Sequence, residues 1–206
     1  DTVSVRALYN DTKISLHLEW DDRTKSIPGD DKAKAIADEE LSEDAIAVQL
    51  PMAIPTGMEK PYFLMGDTAK PVNLWRWSSG TTDNPASITL LDATGIDAQE
   101  ARDANGLTAK ADYKDGTWRV VMTRALTTDQ ADKDLQFQEG RFIPIAFFAW
   151  DGSNSEAGSR HAMTTWYWLL LKPSTGARPI IGAIIAFFLI CGLLFWWNRS
   201  AGRSAS

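Results

Sequence analysis

Nineteen consecutive residues near the C-terminus, Pro179–Trp197 (PIIGAIIAFFLICGLLFWW), carry no charged side chain. At about 1.5 Å per residue such a helix reaches roughly 29 Å, close to the ~30 Å hydrocarbon core of a bilayer. The run is apolar on every face, whereas a helix packed on a soluble core keeps a polar stripe. Trp196 and Trp197 end it where an interfacial aromatic belt belongs. The sequence therefore predicts one transmembrane helix over 179–198, a Pro/Gly/Ser linker over 172–178 and a short basic tail over 199–206. Lys172 and Arg178 precede the helix and Arg199 and Arg203 follow it, so the flanking charges balance. The short tail is the easier cytoplasmic end, which puts the N-terminal domain on the extracytoplasmic, periplasmic side. No signal peptide is visible and a strand pattern begins directly after Asp1, as expected either of a processed terminus or of a chain whose preceding segment lies outside this sequence.

Residues 1–171 read as strands. Val3, Val5, Ala7 and Tyr9 alternate with polar neighbours, Asn10-Asp11-Thr12 turns the chain, and Ile14, Leu16, Leu18 and Trp20 alternate again. Ala45–Leu50 and Val72–Trp77 are further strands, the second with Trp75 and Trp77 on one face. Asp115-Gly116 suits a tight hairpin leading into a strand from Trp118 to Leu126. Phe142–Trp150 is apolar on both faces, as for a strand covered by layers on both sides. Thr164–Leu171 is a last strand with Trp166 and Trp168 on one side. One short helix is expected near Lys32–Glu40, and 78–108 is expected to be mostly loop. The expected fold class is mainly β, an antiparallel β-sandwich of roughly eight short strands joined by long loops.

Charge and cysteine content narrow the functions. The bases Arg178, Arg199 and Arg203 fall after residue 173, which leaves 18 bases against 27 acids before it, a net charge near −9. Such a domain repels nucleic acid and suits a basic protein partner. The single Cys191 lies in the apolar run, which excludes an internal disulfide, a covalently attached haem and cysteine-based zinc or iron–sulfur sites. No nucleophile elbow, phosphate-binding glycine loop or His-Glu-x-x-His is present, so no catalytic residues are assigned. Asp151–Glu156 offers oxygen ligands without the spacing of a calcium-binding EF-hand. Two residues remain as candidate metal ligands: Met65 in Tyr62-Phe-Leu-Met-Gly-Asp67, and His161 in Gly158-Ser-Arg-His-Ala-Met163. A thioether and an imidazole are an axial pair for low-spin haem iron, and the nine tryptophans would supply apolar walls. Spacing alone favours core filler for Met65 and a solvated loop side chain for His161.

The residues that change this balance come in order. They are Val3-Ser-Val-Arg-Ala-Leu-Tyr-Asn10, Leu18-Glu-Trp-Asp-Asp22 with Thr24, Ala45-Ile-Ala-Val-Gln-Leu-Pro51, Pro61-Tyr-Phe-Leu-Met-Gly-Asp67, Pro71-Val-Asn-Leu-Trp-Arg-Trp77, Ala149-Trp-Asp-Gly152 and Thr165-Trp-Tyr167. Together they resemble the haem b-binding γ subunits of ethylbenzene dehydrogenase and its relatives, the cytochrome subunits of dimethylsulfide dehydrogenase, of chlorate and selenate reductases and of nitrite oxidoreductases. The resemblance covers about residues 2–171. It implies a β-sandwich holding one non-covalent haem b, and partners among the subunits of a molybdenum/iron–sulfur complex. It also implies single-electron transfer rather than catalysis by this chain. The family's methionine ligand falls on Met65. Its second ligand, usually lysine, lies five residues before the last tryptophan, here at His161. That pair is similar to the one in the cytochrome domain of cellobiose dehydrogenase. Tyr62, Phe63, Trp75 and Trp77 are candidate pocket walls, and Arg76 is a candidate partner for a haem propionate. Two alternatives stand beside this reading. One is a carbohydrate- or ligand-binding sandwich with Trp75 or Trp77 exposed. The other is a haem-free accessory subunit of a membrane complex.

Overall fold

A computed structural model describes residues 2–37, 40–173 and 178–201. The chain divides into two units, Asp1–Leu171 and Lys172–Ser206. In chain order the described elements of the first are β1 (Val3–Tyr9), β2 (Lys13–Asp21), α1 (Asp31–Lys34), β3 (Ala45–Pro51), β4 (Val72–Gly80), β5 (Pro85–Ala93), β6 (Gln99–Arg102), β7 (Thr108–Lys114), β8 (Thr117–Ala125), β9 (Phe142–Trp150), β10 (Ala162–Met163) and β11 (Tyr167–Leu170).

Local chemistry sets the hairpins. Asn10 Oδ1 accepts from the N–H groups of Thr12 at 3.0 Å and Lys13 at 2.8 Å, which closes the β1–β2 turn. Asp115 and Gly116 both take positive φ, 54° and 73°, as a two-residue turn between β7 and β8 requires. One antiparallel sheet has the order β1-β2-β8-β7. The other has the order β10-β9-β3-β4-β5-β6, with β11 also pairing β9. Their facing sides interdigitate: Ile14, Leu16, Leu18, Trp118, Val120 and Met122 of the first meet Ile46, Val48, Leu50, Trp75, Trp77 and Leu90 of the second. This is the expected sandwich, with more strands than expected.

Three local expectations change. The stretch 78–108 is not mostly loop but holds β5 and β6. Only Leu90 and Ala93 of β5 are buried, so its alternation is faint in the sequence. Of the helix expected near 32–40, the described residues form Asp31–Lys34, capped by the Asp30 carboxylate, which accepts from Lys32 N at 2.8 Å, and 38–39 lie outside the described residues. The last strand shortens to Tyr167–Leu170 because Thr164 Oγ accepts from Phe147 N at 3.0 Å, replacing a backbone ladder bond. Trp166 therefore sits before the strand rather than in alternation with Trp168.

The second unit holds α2 (Arg178–Ala201), a 24-residue helix. Side chains from Ile181 to Leu194 are exposed. Among the described residues no helix is long and apolar enough to cross a membrane.

Candidate functional site

The outer face of the larger sheet, turned away from the smaller one, carries a second apolar cluster. Ala45 and Ala47 of β3, Val72 and Leu74 of β4, Ala93 of β5 and Phe148 and Trp150 of β9 join Met65 there. Leu91, Ile96 and Trp166 pack on it, half-buried. The central strand β3 contributes small residues to this face, and β9 contributes large rings. This outer layer explains why β9 is apolar on both faces.

Met65 arrives from the β3–β4 connection. Gly66 N donates to Tyr62 O at 2.9 Å, closing a tight turn. Met65 and Gly66 take φ of 61° and 75°. Two successive left-handed residues reverse the chain and drop the Met65 side chain onto the sheet, where it is 1% exposed. A positive φ on a non-glycine residue costs on the order of 1–3 kcal/mol and gathers at functional sites. Gly66 cannot carry a side chain, since a Cβ would lie 2.8 Å from Lys70 O.

His161 lies just before β10. Its ring stands 5.2 Å from Phe148 and 5.2 Å from Trp150, both members of the Met65 cluster. Its Nδ1 is 3.2 Å from Gly158 O. A carbonyl only accepts, so Nδ1–H donates, and in the neutral ring this leaves the lone pair on Nε2, the tautomer of a metal-ligating histidine. Trp150 Nε1 donates to the same carbonyl at 3.0 Å. Trp166 Nε1 donates to Pro61 O at 2.9 Å, tying the segment between β10 and β11 to the loop that carries Met65.

Arg76 leaves the same face of β4 and lies 5.3 Å from the Trp150 ring. Burial pulls its pKa below the usual guanidinium value, with Glu43 working against the shift. Gln49, fully buried on β3, donates from Nε2 to Phe63 O at 3.3 Å, while its Oε1 has no protein partner. An unsatisfied buried acceptor costs about 1–3 kcal/mol, so an apolar side chain would sit there more cheaply. Tyr62 and Phe63 flank Met65 in sequence, but their rings, 4.7 Å apart, are exposed at the loop surface.

Trp75 and Trp77 are not at this site. Alternation along β4 turns them the other way, into the inter-sheet core, at 0% and 2% exposure. Trp77 packs edge-on to Trp118 at 4.8 Å, and Trp75 packs edge-on to Phe137 at 6.0 Å. Neither offers a surface to stack a sugar, which removes the ground for the carbohydrate-binding alternative. Sequence reasoning passed over Phe148, Trp150, Trp166 and Gln49. The signal was there in the two-sided apolarity of β9 and in a glutamine amid a strand that is otherwise apolar up to Pro51.

Asp151, raised as an oxygen ligand, meets Asp22 and Asp44, with one oxygen of each within 4.8 Å of the others. Asp44 is fully buried and accepts from Ser26 N at 2.7 Å, Trp118 Nε1 at 3.0 Å and Gly152 N at 3.0 Å. Burial, then the Asp22 charge, outweigh these donors and push its pKa up to about 7. Asp151 caps the turn after β9, accepting from Ser153 N at 2.9 Å. The trio joins three segments at one end of the sandwich.

Residues 1–108 and 89–162 match the profile of the ethylbenzene dehydrogenase family. A protein of Haloferax mediterranei described as a candidate respiratory nitrate reductase heme subunit is 28% identical over 185 residues, covering 87% of this chain and 59% of the relative. The chlorate reductase γ subunit of Ideonella dechloratans is 29% identical over 169 residues, covering 82% and 64% respectively. The chain thus spans less than two thirds of the length of these relatives. With matched segments that take in both the Met65 turn and His161, the chain belongs to the ethylbenzene dehydrogenase family.

Proposed function

We propose that this chain is the haem b subunit of a multi-subunit oxidoreductase, relays single electrons, and has Met65 and His161 as the axial ligands of one non-covalent haem. Its partners are then the other subunits of a reductase complex, as the names of its relatives suggest. The observation that supports the reading is that the Met65 thioether is buried in an apolar cluster and the His161 ring stands against Phe148 and Trp150 of that same cluster. The residues present fit the group. Ala45, Ala47, Leu74 and Phe148 offer an apolar floor to a flat macrocycle, and Arg76 offers a cation to a propionate. Bound haem would supply a one-electron iron couple. With Met65 and His161 both holding the iron, no position would be left for substrate, and the thioether would favour the reduced iron and raise the potential. The Gly158 carbonyl orients the His161 ring and makes it a stronger donor.

The uncharged run Pro179–Trp197 supports a membrane anchor, and the short tail with Arg199 and Arg203 supports an extracytoplasmic first unit. In this reading the partner complex lies in or on the same membrane.

The test is an absorption spectrum of the full chain in detergent, oxidised and dithionite-reduced, with a pyridine haemochrome assay. A low-spin b-type spectrum is expected. His161→Ala and Met65→Ala are each expected to convert it to a high-spin form and to weaken haem retention by roughly 10–100-fold. A colourless protein that refuses added haemin would overturn the assignment in favour of a haem-free accessory subunit.

A further inference from the structure

We infer that Gln49 and Trp166 are positioning residues that clamp the Met65 turn from two sides and thereby preset iron ligation. The inference rests on the haem reading above. Two carbonyls of the turn are held by side chains from elsewhere in the fold. Phe63 O accepts from Gln49 Nε2 at 3.3 Å, and Pro61 O accepts from Trp166 Nε1 at 2.9 Å. Met65 follows these carbonyls by two and four residues, in the strained left-handed geometry that aims its side chain at the sheet. A turn under strain relaxes unless its surroundings over-determine it, and beside the packing of Met65 these two are long-range hydrogen bonds that restrain it.

Each clamp comes from a different place. Gln49 is rooted in β3 between β4 and β9, in register with Leu74 and Ala146. It fixes the height of the turn above the sheet. Its buried Oε1 has no protein partner, so the amide is kept at that position for what its N–H does. Trp166 lies five residues after His161 and packs on the Met65 cluster. Its N–H fixes the turn relative to the segment that carries the second ligand. Between them the spacing of thioether and imidazole is set by protein bonds, with no iron needed to draw the two together.

The experiment compares the full chain with Gln49→Leu, close in size, and Trp166→Phe, which keeps an aromatic ring; both remove the N–H donor. The readouts are the weak sulfur-to-iron charge-transfer band of the ferric protein, the midpoint potential and the rate of carbon monoxide binding to the ferrous form. Both variants are expected to bind haem through His161, to lose much of the charge-transfer band, and to drop in potential. Carbon monoxide uptake is expected to rise by at least about tenfold as Met65 lets go more often. Thermal stability reduced with band, potential and carbon monoxide kinetics unmoved would assign the two bonds to fold maintenance and overturn the proposal. If Gln49→Leu fails to fold, Trp166→Phe decides by the same readouts. A wild-type chain that takes up no haem overturns the functional reading together with the clamp, whereas normal haem with an unaltered band in the variants overturns the clamp alone.

Discussion

Replacing Asp44 with alanine is expected to lower the unfolding free energy by about 3 kcal/mol or more in a urea titration. The carboxylate is the acceptor for Ser26 N, Trp118 Nε1 and Gly152 N, and it is fully buried. Removing it strands three donors that water cannot reach. Gly152 also packs too closely to relax, since a Cβ there would lie 2.2 Å from Ser42 O. A variant within about 1 kcal/mol of wild type would mean that water enters and satisfies these groups.

The same residue makes stability depend on pH. Its folded pKa is raised to about 7 by burial and then by Asp22, and burial raises Asp22 as well. The folded state therefore holds a proton that the unfolded chain releases near the ordinary carboxyl value of about 3.9. Stability from this group is full below that value, declines as pH rises, and is lost above the folded pKa. A proton on Asp44 relieves its repulsion with Asp22, whose carboxylate oxygen lies within 4.8 Å. Unfolding free energies measured from about pH 5 to about pH 8 are expected to fall with pH, and the slope is expected to flatten in Asp44→Asn. An equal slope in both proteins would place the titration elsewhere.

Asp134→Ala is the second large effect, expected at about 3–5 kcal/mol because it breaks a buried ion pair from one side. Asp134 faces Arg102, lies 3.7 Å from Arg124 Nη1, and accepts from Asn105 Nδ2 at 2.6 Å and Thr128 Oγ at 2.8 Å. Burial opposes its ionisation, but these donors outweigh it and hold the carboxyl below the usual range. Arg124 is 1% exposed, with its guanidinium 5.0 Å from the Trp75 ring. Burial pulls its pKa down to about 10 although Asp134 works to raise it. Without Asp134 that cation loses its nearest counter-charge in the core. Adding Arg124→Met to Asp134→Ala is expected to recover much of the loss, since no unpaired charge then remains. A double variant as unstable as the sum of the singles would show that the two side chains act independently.

How far the sequence could be read depended on contrast between faces. The β1–β2 hairpin was legible because one side of β2 is buried and the other is not. β5 was not, because it is partly exposed on both sides and its polar residues resemble a loop. The pairing of Trp75 with Trp77 was legible from period two, but alternation does not say which side of a doubly covered sheet they join. They went to the inter-sheet core, and Arg76 between them went to the Met65 side. Met65 and His161 stood out through ordered family motifs, since a lone methionine and a lone histidine carry no spacing signal. Asp44 was hidden among the acids of 38–44, and only its three donors, remote in sequence, distinguish it from them.

The two apolar clusters of the first unit lie on opposite faces of one sheet. The larger one, between the sheets, closes without any contribution from Met65 or His161. The inner core thus forms a scaffold that is complete without the outer layer, so that closing the sandwich and filling the Met65 face are separable events.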